Sequence, residues 1–289
     1  MGTAKMGSMI VAQISDLHIG FAGRGKTCAN TERLKIVVQA LNKLQQQPDL
    51  VIATGDLVES GEEWAYRDLK RELKQIKSPV YLAFGNHDSR APFADVFPHI
   101  PYTDGFLQYT IEDHPLRVIV LDTLKEGRHG GSFCEARAAW LHEKLSEQPE
   151  RPTLIALHHP PINTGIGWLT SNPNAPWVKR LRAVVSQFDN VQHMIAGHIH
   201  RSIFSSFANT TLSVTQAIAP QTALELAPVD PNVPDGRDLL VEARPGFCLH
   251  LWDGSNLTTH SGQSPAGKTL LSYDQKYAYV VKHTLDLDH

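Results

Sequence analysis

Five short apolar runs in this chain each stop on the same kind of chemistry, and this repetition limits the fold more than any other feature. Val11 to Ile14 leads into Asp16-Leu17-His18, Leu50 to Thr54 into Gly55-Asp56, and Val80 to Phe84 into Gly85-Asn86-His87-Asp88. Thr153 to Leu157 leads into His158-His159-Pro160-Pro161, and Val191 to Ala196 into Gly197-His198-Ile199-His200. Apolar runs of this length, bounded by turn residues, read as strands buried on both faces. A glycine followed by an amide, an imidazole and a carboxylate is a poor continuation of a strand. It is a good way to end one at a site, because α/β sheets bind ligands beyond the C-terminal ends of their strands.

The segments between the runs have helical period. Leu34, Val37, Val38, Leu41 and Leu44 share one face, as do Ala65, Leu69, Leu73 and Ile76. Asn30 is placed to cap the first helix, and Ser60 with Glu63, like Ser132 with Glu135, makes a capping-box pattern. The order β-α-β-α-β predicts parallel strands joined by right-handed crossovers. Leu107 to Ile111 and Leu116 to Leu121 read as an antiparallel hairpin. Two further helices, one burying Ala136, Trp140 and Leu141 and one burying Trp177, Leu181, Val184, Val185 and Phe188, precede the fourth and fifth runs. After His200 the pattern is all-β: Ile203 to Phe207, Thr211 to Thr215, Phe247 to Trp252 and Leu257 to Thr259.

These elements predict an α/β fold, a four-layer α-β-β-α sandwich of two mixed sheets with the site at the C-terminal ends of the strands. Residues 1–8 are expected to be a disordered leader and 9–289 one domain. Within it, 216–245 reads as a cap-like excursion, containing the Pro- and Asp-rich stretch Ala227 to Asp238, and 261–289 as a C-terminal extension.

Composition narrows the class further. The net charge of −3 and the lack of any Lys/Arg block give no reason to expect nucleic acid as a partner. No apolar run approaches a membrane span, so no membrane partner is expected. Cys28, Cys134 and Cys248 are too far apart for a zinc finger or a disulfide framework, which fits a reducing cytoplasm.

Asp, His and Asn side chains at the ends of the five runs supply seven candidate ligands. This is a mixed oxygen and nitrogen set with no thiolate, suited to manganese, iron, zinc or cobalt. Seven donors are too many for one tetrahedral ion. Two ions sharing a carboxylate, about 3.5–4 Å apart, would use them, and that arrangement serves phosphoryl chemistry.

In their order and spacing the five blocks resemble the signature of the calcineurin-like metallophosphoesterases, over roughly Met9 to Asp253. Gly55-Asp56-Leu57-Val58-Glu59, His158-His159-Pro160-Pro161 and the run Pro245-Gly246-Phe247-Cys248-Leu249-His250 are most similar to class III cyclic nucleotide phosphodiesterases and bacterial glycerophosphodiesterases. The resemblance implies two divalent metal ions per chain. One would be held by Asp16, His18, Asp56 and His200, the other by Asp56, Asn86, His158 and His198, with Asp56 bridging. It implies that a metal-bound hydroxide attacks phosphorus and that His87 stays unligated over the phosphate, stabilising charge or protonating the leaving oxygen. Asp88 would orient His87 or anchor its loop. Asn86, His87 and His159 are the candidate substrate contacts. His193 reads as structural, His129 as a solvated turn residue and Cys248 as a small buried hydrophobe.

The expected function is hydrolysis of small phosphodiesters, either cyclic nucleotides such as cAMP or glycerophosphodiesters. A phosphomonoesterase or phosphonate monoester hydrolase is the enzymic alternative, and a metal-binding scaffold the non-enzymic one. Homo-oligomers are compatible with the sequence.

Overall fold

A computed structural model of the chain describes residues 7–286. The expected leader therefore lies outside the described residues apart from Gly7 and Ser8. In chain order the elements are β1 (Met9–Ile14), α1 (Ala29–Asn42), β2 (Leu50–Thr54), α2 (Glu63–Leu73), β3 (Val80–Ala83), α3 (Arg90–Val96), β4 (Tyr109–Ile111) and β5 (Arg117–Val120). There follow α4 (Glu135–Glu147), β6 (Thr153–Ala156), α5 (Pro176–Val185), β7 (Val191–Ala196), β8 (Ile203–Phe207), β9 (Thr210–Val214), β10 (Gln221–Thr222), β11 (Leu240–Val241), β12 (Gly246–Trp252), β13 (Leu257–Gln263) and α6 (Ala278–Asp286).

The strands form two mixed sheets and a small ribbon. The first sheet has the order β13-β12-β1-β2-β3, and the second β4-β5-β6-β7-β9-β8. The three strands β1, β2 and β3 are parallel, as are β5, β6, β7 and β9. The remaining strands join antiparallel at the edges. Side chains of β5 show how the layers stack. Val118 and Val120 enter the core shared with the first sheet, while Ile119 faces a second core with Leu141 of α4 and Leu181 of α5. Leu34 and Val37 of α1 and Leu69 of α2 belong to the first core. The result is four layers, helices outside and sheets within.

A polar bridge crosses the space between the sheets. The Gln13 amide on β1 donates to Thr54 Oγ1 at 3.0 Å and, across to the other sheet, to the Ala196 carbonyl at 2.9 Å. Gln13 Oε1 accepts from His250 Nε2–H at 3.1 Å. His193 is bound on both nitrogens, by Thr211 Oγ1 at 2.7 Å and Ser213 Oγ at 2.8 Å, which is the structural role expected of it.

The helix starts differ from the capping patterns. Cys28, Glu62 and Cys134 occupy the cap positions, and none makes a side-chain cap bond. Two of the predicted caps have other partners instead. Asn30 Nδ2 donates to the His18 carbonyl at 3.1 Å, and Ser132 Oγ accepts from Arg137 at 3.0 Å. The short helix α3 and the tail helix α6 were not anticipated. Between β10 and β11 the chain makes its irregular excursion, with Leu224, Leu226 and Val233 exposed. Its foot is held by Arg33 of α1, whose guanidinium binds the carbonyls of Ile218, Ala219 and Ala243.

Candidate metal centre

Asp16 and His18 follow β1, Asp56 follows β2, and Asn86 and His87 follow β3. His158 follows β6, and His198 and His200 follow β7. Five of these residues lie in the left-handed region: Asp16 (φ 53°), His18 (46°), Asp56 (48°), His198 (74°) and His200 (54°). Such backbone is disfavoured for side-chain-bearing residues and persists where the surroundings over-determine it. Here they do. Asp16 N–H donates to the Gly55 carbonyl at 3.0 Å, and His18 N–H to the Asp56 carbonyl at 3.0 Å. His198 N–H donates to Asp16 Oδ1 at 2.9 Å. Gly85 is required by close approach, since a Cβ there would stand 2.2 Å from both the N and Oδ1 of Asp56.

The side-chain atoms form two adjoining nests. In the first, donor atoms of Asp16, His18, Asp56 and His200 all lie within 4.8 Å of one another. In the second, His158 Nε2 lies 3.3 Å from Asp56 Oδ2 and 3.2 Å from Asn86 Oδ1. Asp56 Oδ2 also sits 3.5 Å from His18 Nε2, so one carboxylate oxygen is common to both nests. His198 stands beside the second nest, its ring centroid 5.1 Å from that of His158 and its donor atom within 4.8 Å of those of His158 and His159.

Hydrogen bonding on the far side of each ring decides what these atoms can bind. His18 Nδ1–H donates to Glu59 Oε2 at 2.7 Å, His158 Nδ1–H to the Thr54 carbonyl at 2.8 Å, and His200 Nδ1–H to the Pro220 carbonyl at 2.8 Å. A carboxylate or a carbonyl accepts only, so each neutral ring keeps its lone pair on Nε2. Those lone pairs converge: His18 Nε2 and His200 Nε2 are 3.2 Å apart, and His158 Nε2 faces the lone pairs of Asn86 Oδ1 and Asp56 Oδ2. Acceptor facing acceptor in a buried site needs a proton or a metal ion between them, and partners of this kind orient metal-bound histidines. The donor set thus fits divalent metal.

Without a metal ion the carboxylates and rings act on one another directly. Burial alone would raise the Asp56 carboxyl, yet His158, His18 and His87 hold it well below its ordinary range. Burial opposes charge on His158, but Asp56 and Asp16 lift it to about 9. For His198 burial dominates and pushes the ring well below its usual value.

His87 stands beside the first nest without joining it. Its Nδ1–H donates to the Glu59 carbonyl at 2.8 Å, and its ring packs edge-on against His18 at 4.6 Å. Asp88 does not touch His87. It anchors the loop, accepting from Gly85 N–H at 2.8 Å, Leu57 N–H at 3.2 Å and Tyr66 Oη–H at 3.0 Å. His159 is buried with both ring nitrogens engaged, Nδ1 by Thr123 Oγ1 at 2.8 Å and Nε2 by the His129 carbonyl at 3.1 Å. His129 is exposed in a bend, as expected, yet it also reaches the site. Its ring lies 5.0 Å from that of His198 and 3.0 Å from the Asn86 amide.

A cavity of about 300 Å³ opens over the nests. His18, Asp56, Glu59, His87, His129, His198 and His200 form its floor. Phe21, Trp168, Leu169 and Leu240 are its large apolar wall residues, and among the described residues no Lys or Arg lines it. Sequence reasoning missed Glu59 as a partner of His18 and did not see Thr123 behind His159. Only the position of Glu59 in the quoted Gly55 to Glu59 block could have pointed to it.

Comparison with known proteins follows the same line. The model of the calcineurin-like phosphoesterase family matches residues 9–202. A probable cyclic nucleotide phosphodiesterase of Rhodopseudomonas palustris is 33% identical over 268 residues, covering 86% of this chain and 94% of that protein. A probable glycerophosphodiester phosphodiesterase of Arcobacter nitrofigilis is 31% identical over 261 residues, covering 88% and 92%. Among solved structures, a dimetal phosphatase from Danio rerio superposes with a TM-score of 0.61 at 14% identity, covering 87% of this chain and 98% of its own, and shares the fold. With acceptor-lined nests at the ends of its parallel strands and a family match running through all five ligand blocks, this chain belongs to the calcineurin-like phosphoesterases.

Proposed function

We propose that the protein is a dinuclear metal-dependent phosphodiesterase acting on small diesters, cyclic nucleotides or glycerophosphodiesters. The observation that carries this reading is Asp56 Oδ2, shared between two nests of converging lone pairs beneath a cavity without cations. Asp16, His18, Asp56 and His200 would hold one ion, and Asp56, Asn86, His158 and His198 the other. Mixed nitrogen and oxygen donors suit manganese, iron, zinc or cobalt. Bound there, two divalent ions would supply an acidified water and a clamp on the phosphoryl oxygens.

The protein's own groups do the rest. Glu59, Thr54 and the Pro220 carbonyl fix the imidazole tautomers before substrate arrives. His87 is tethered through Nδ1–H to the Glu59 carbonyl, so Nε2 is the atom left to face substrate. In its charged form that nitrogen gives its proton to the departing alkoxide, a step worth on the order of 10²–10⁴ in rate. The walls exclude water and receive the second ester arm. Ala219, Pro220, Thr222 and Leu240, from the cap-like excursion 216–245, complete them, together with Trp168 and Leu169. Leu224 and Leu226 of the same excursion take no part in this lining. An organic arm suits such walls better than the second negative charge of a monoester. The three free cysteines support a reducing, cytoplasmic setting.

The test compares bis(p-nitrophenyl) phosphate with p-nitrophenyl phosphate at equal metal loading. A higher kcat/KM for the diester is expected. A clear preference for the monoester would move the protein to the phosphatase branch.

A further inference from the structure

The Asn86 amide has two ways to sit, and only one of them leaves its oxygen for a cation. Its Oδ1 faces His158 Nε2 at 3.2 Å. In the neutral form that metal binding requires, that nitrogen carries a lone pair, because His158 Nδ1–H is committed to the Thr54 carbonyl. Turned over, the amide would place its NH₂ against the same lone pair and form an ordinary hydrogen bond. That alternative satisfies the protein alone but points two donors at the second nest, where they would repel a cation. The metal-competent orientation therefore has to be enforced.

We propose that His129 enforces it, as a positioning residue that acts on the second metal through Asn86. With its proton on Nε2, the His129 ring presents Nδ1 as an acceptor to Asn86 Nδ2–H, 3.0 Å away. The turned-over amide would set its oxygen against the His129 Nδ1 lone pair, so the flip that His158 would allow is disfavoured at the His129 end.

The loop that carries His129 is built for this. The His129 carbonyl accepts from His159 Nε2–H at 3.1 Å, and His159 is fixed in turn through Nδ1 by Thr123 Oγ1 at 2.8 Å. Ser132 N–H returns to the Thr123 carbonyl at 2.9 Å, closing the loop onto the same anchor. Gly131 lets the loop lie against His159, because a Cβ there would stand 2.8 Å from His159 Cβ and 3.1 Å from the Trp177 ring. His159 is thus a strut for His129 and not a surface offered to substrate. Nothing comparable touches the first nest, whose rings are set by Glu59 and Pro220.

This inference rests on the dinuclear reading and is tested apart from turnover. Mn²⁺ or Co²⁺ is titrated into the metal-stripped full-length protein and the two equivalents are followed by calorimetry, with the cobalt absorption bands as a second record. His129→Ala should weaken the second equivalent about 10- to 100-fold, the usual effect of losing a partner behind a ligand, and leave the first unchanged. His129→Asn should restore most of the loss, because Asn Oδ1 occupies the place of His Nδ1 and also accepts. An unchanged second equivalent in His129→Ala overturns the inference, as does equal weakening of both equivalents or failure of Asn to outperform Ala. Fewer than two equivalents in the wild-type protein is a different result. It overturns the dinuclear reading, and this inference falls with it.

Discussion

Acidification from pH 8 to pH 5 should destabilise the protein by about 4 kcal/mol through two histidines remote from the metal centre. His193 and His250 are buried in the space between the sheets, with ring centroids 6.1 Å apart. Burial pushes His193 down to about 4. Burial, helped by His193 and His260, pushes His250 down to about 3. Their hydrogen-bond partners are the neutral groups of Thr211, Ser213, Thr259 and Gln13, so no carboxylate compensates a proton placed there. Both folded values lie below the unfolded value of about 6.5, so the unfolded chain binds more protons between them. The stabilisation is therefore complete above about pH 6.5 and is lost as the pH falls toward the folded values. At pH 5 each ring has given up about 2 kcal/mol. Urea denaturation across this range, compared between the wild type and a His193→Gln, His250→Gln double variant, isolates the two rings from other titrating groups. The variant is weaker at pH 8 but should lose about 4 kcal/mol less on acidification. Parallel losses in the two proteins would refute the argument.

Two further substitutions address the site. His87→Ala should retain both metals by elemental analysis and lose on the order of 10²–10⁴ in kcat, with a smaller loss for esters whose leaving group needs no proton. Loss of metal would instead make His87 a ligand. Asp56→Ala removes the oxygen common to both nests and should abolish activity and lower occupancy of both sites, whereas His200→Ala should lower the first alone; retention of both ions in Asp56→Ala refutes the sharing.

The strands that deliver the site were legible because parallel strands covered on both faces must be apolar throughout, and β2 is buried at every position. Their ligand-bearing ends were legible because no strand continues well through Gly-Asn-His-Asp. What escaped had no local signature. The helix α3 is only seven residues long, contains Pro92 and is held by burial of Phe93 and Val96. The strand β13 extends through Gln263, beyond the expected end at Thr259, because an edge strand is held by backbone pairing to β12 and needs few apolar side chains. The capping patterns failed where Asn30 turned to the His18 carbonyl and Ser132 to the Arg137 side chain of α4. Glu59 and Thr123 act on histidines 41 and 36 residues away, a relation that only the closed fold reveals.

Each nest draws its atoms from both sheets. Asp16, His18, Asp56 and Asn86 come from the first sheet, and His158, His198 and His200 from the second. The bond from His198 N–H to Asp16 joins residues 182 positions apart. Ions held there would rivet the two layers together at one end, and prising the layers apart would require breaking coordination first. No partial structure with a single layer owns a complete ligand set, so such fasteners engage last. Interactions of that kind slow unfolding and leave the folding rate nearly untouched. Metal ions bound at the site would thus double as a brake on the separation of the layers, distinct from the apolar core that brings them together.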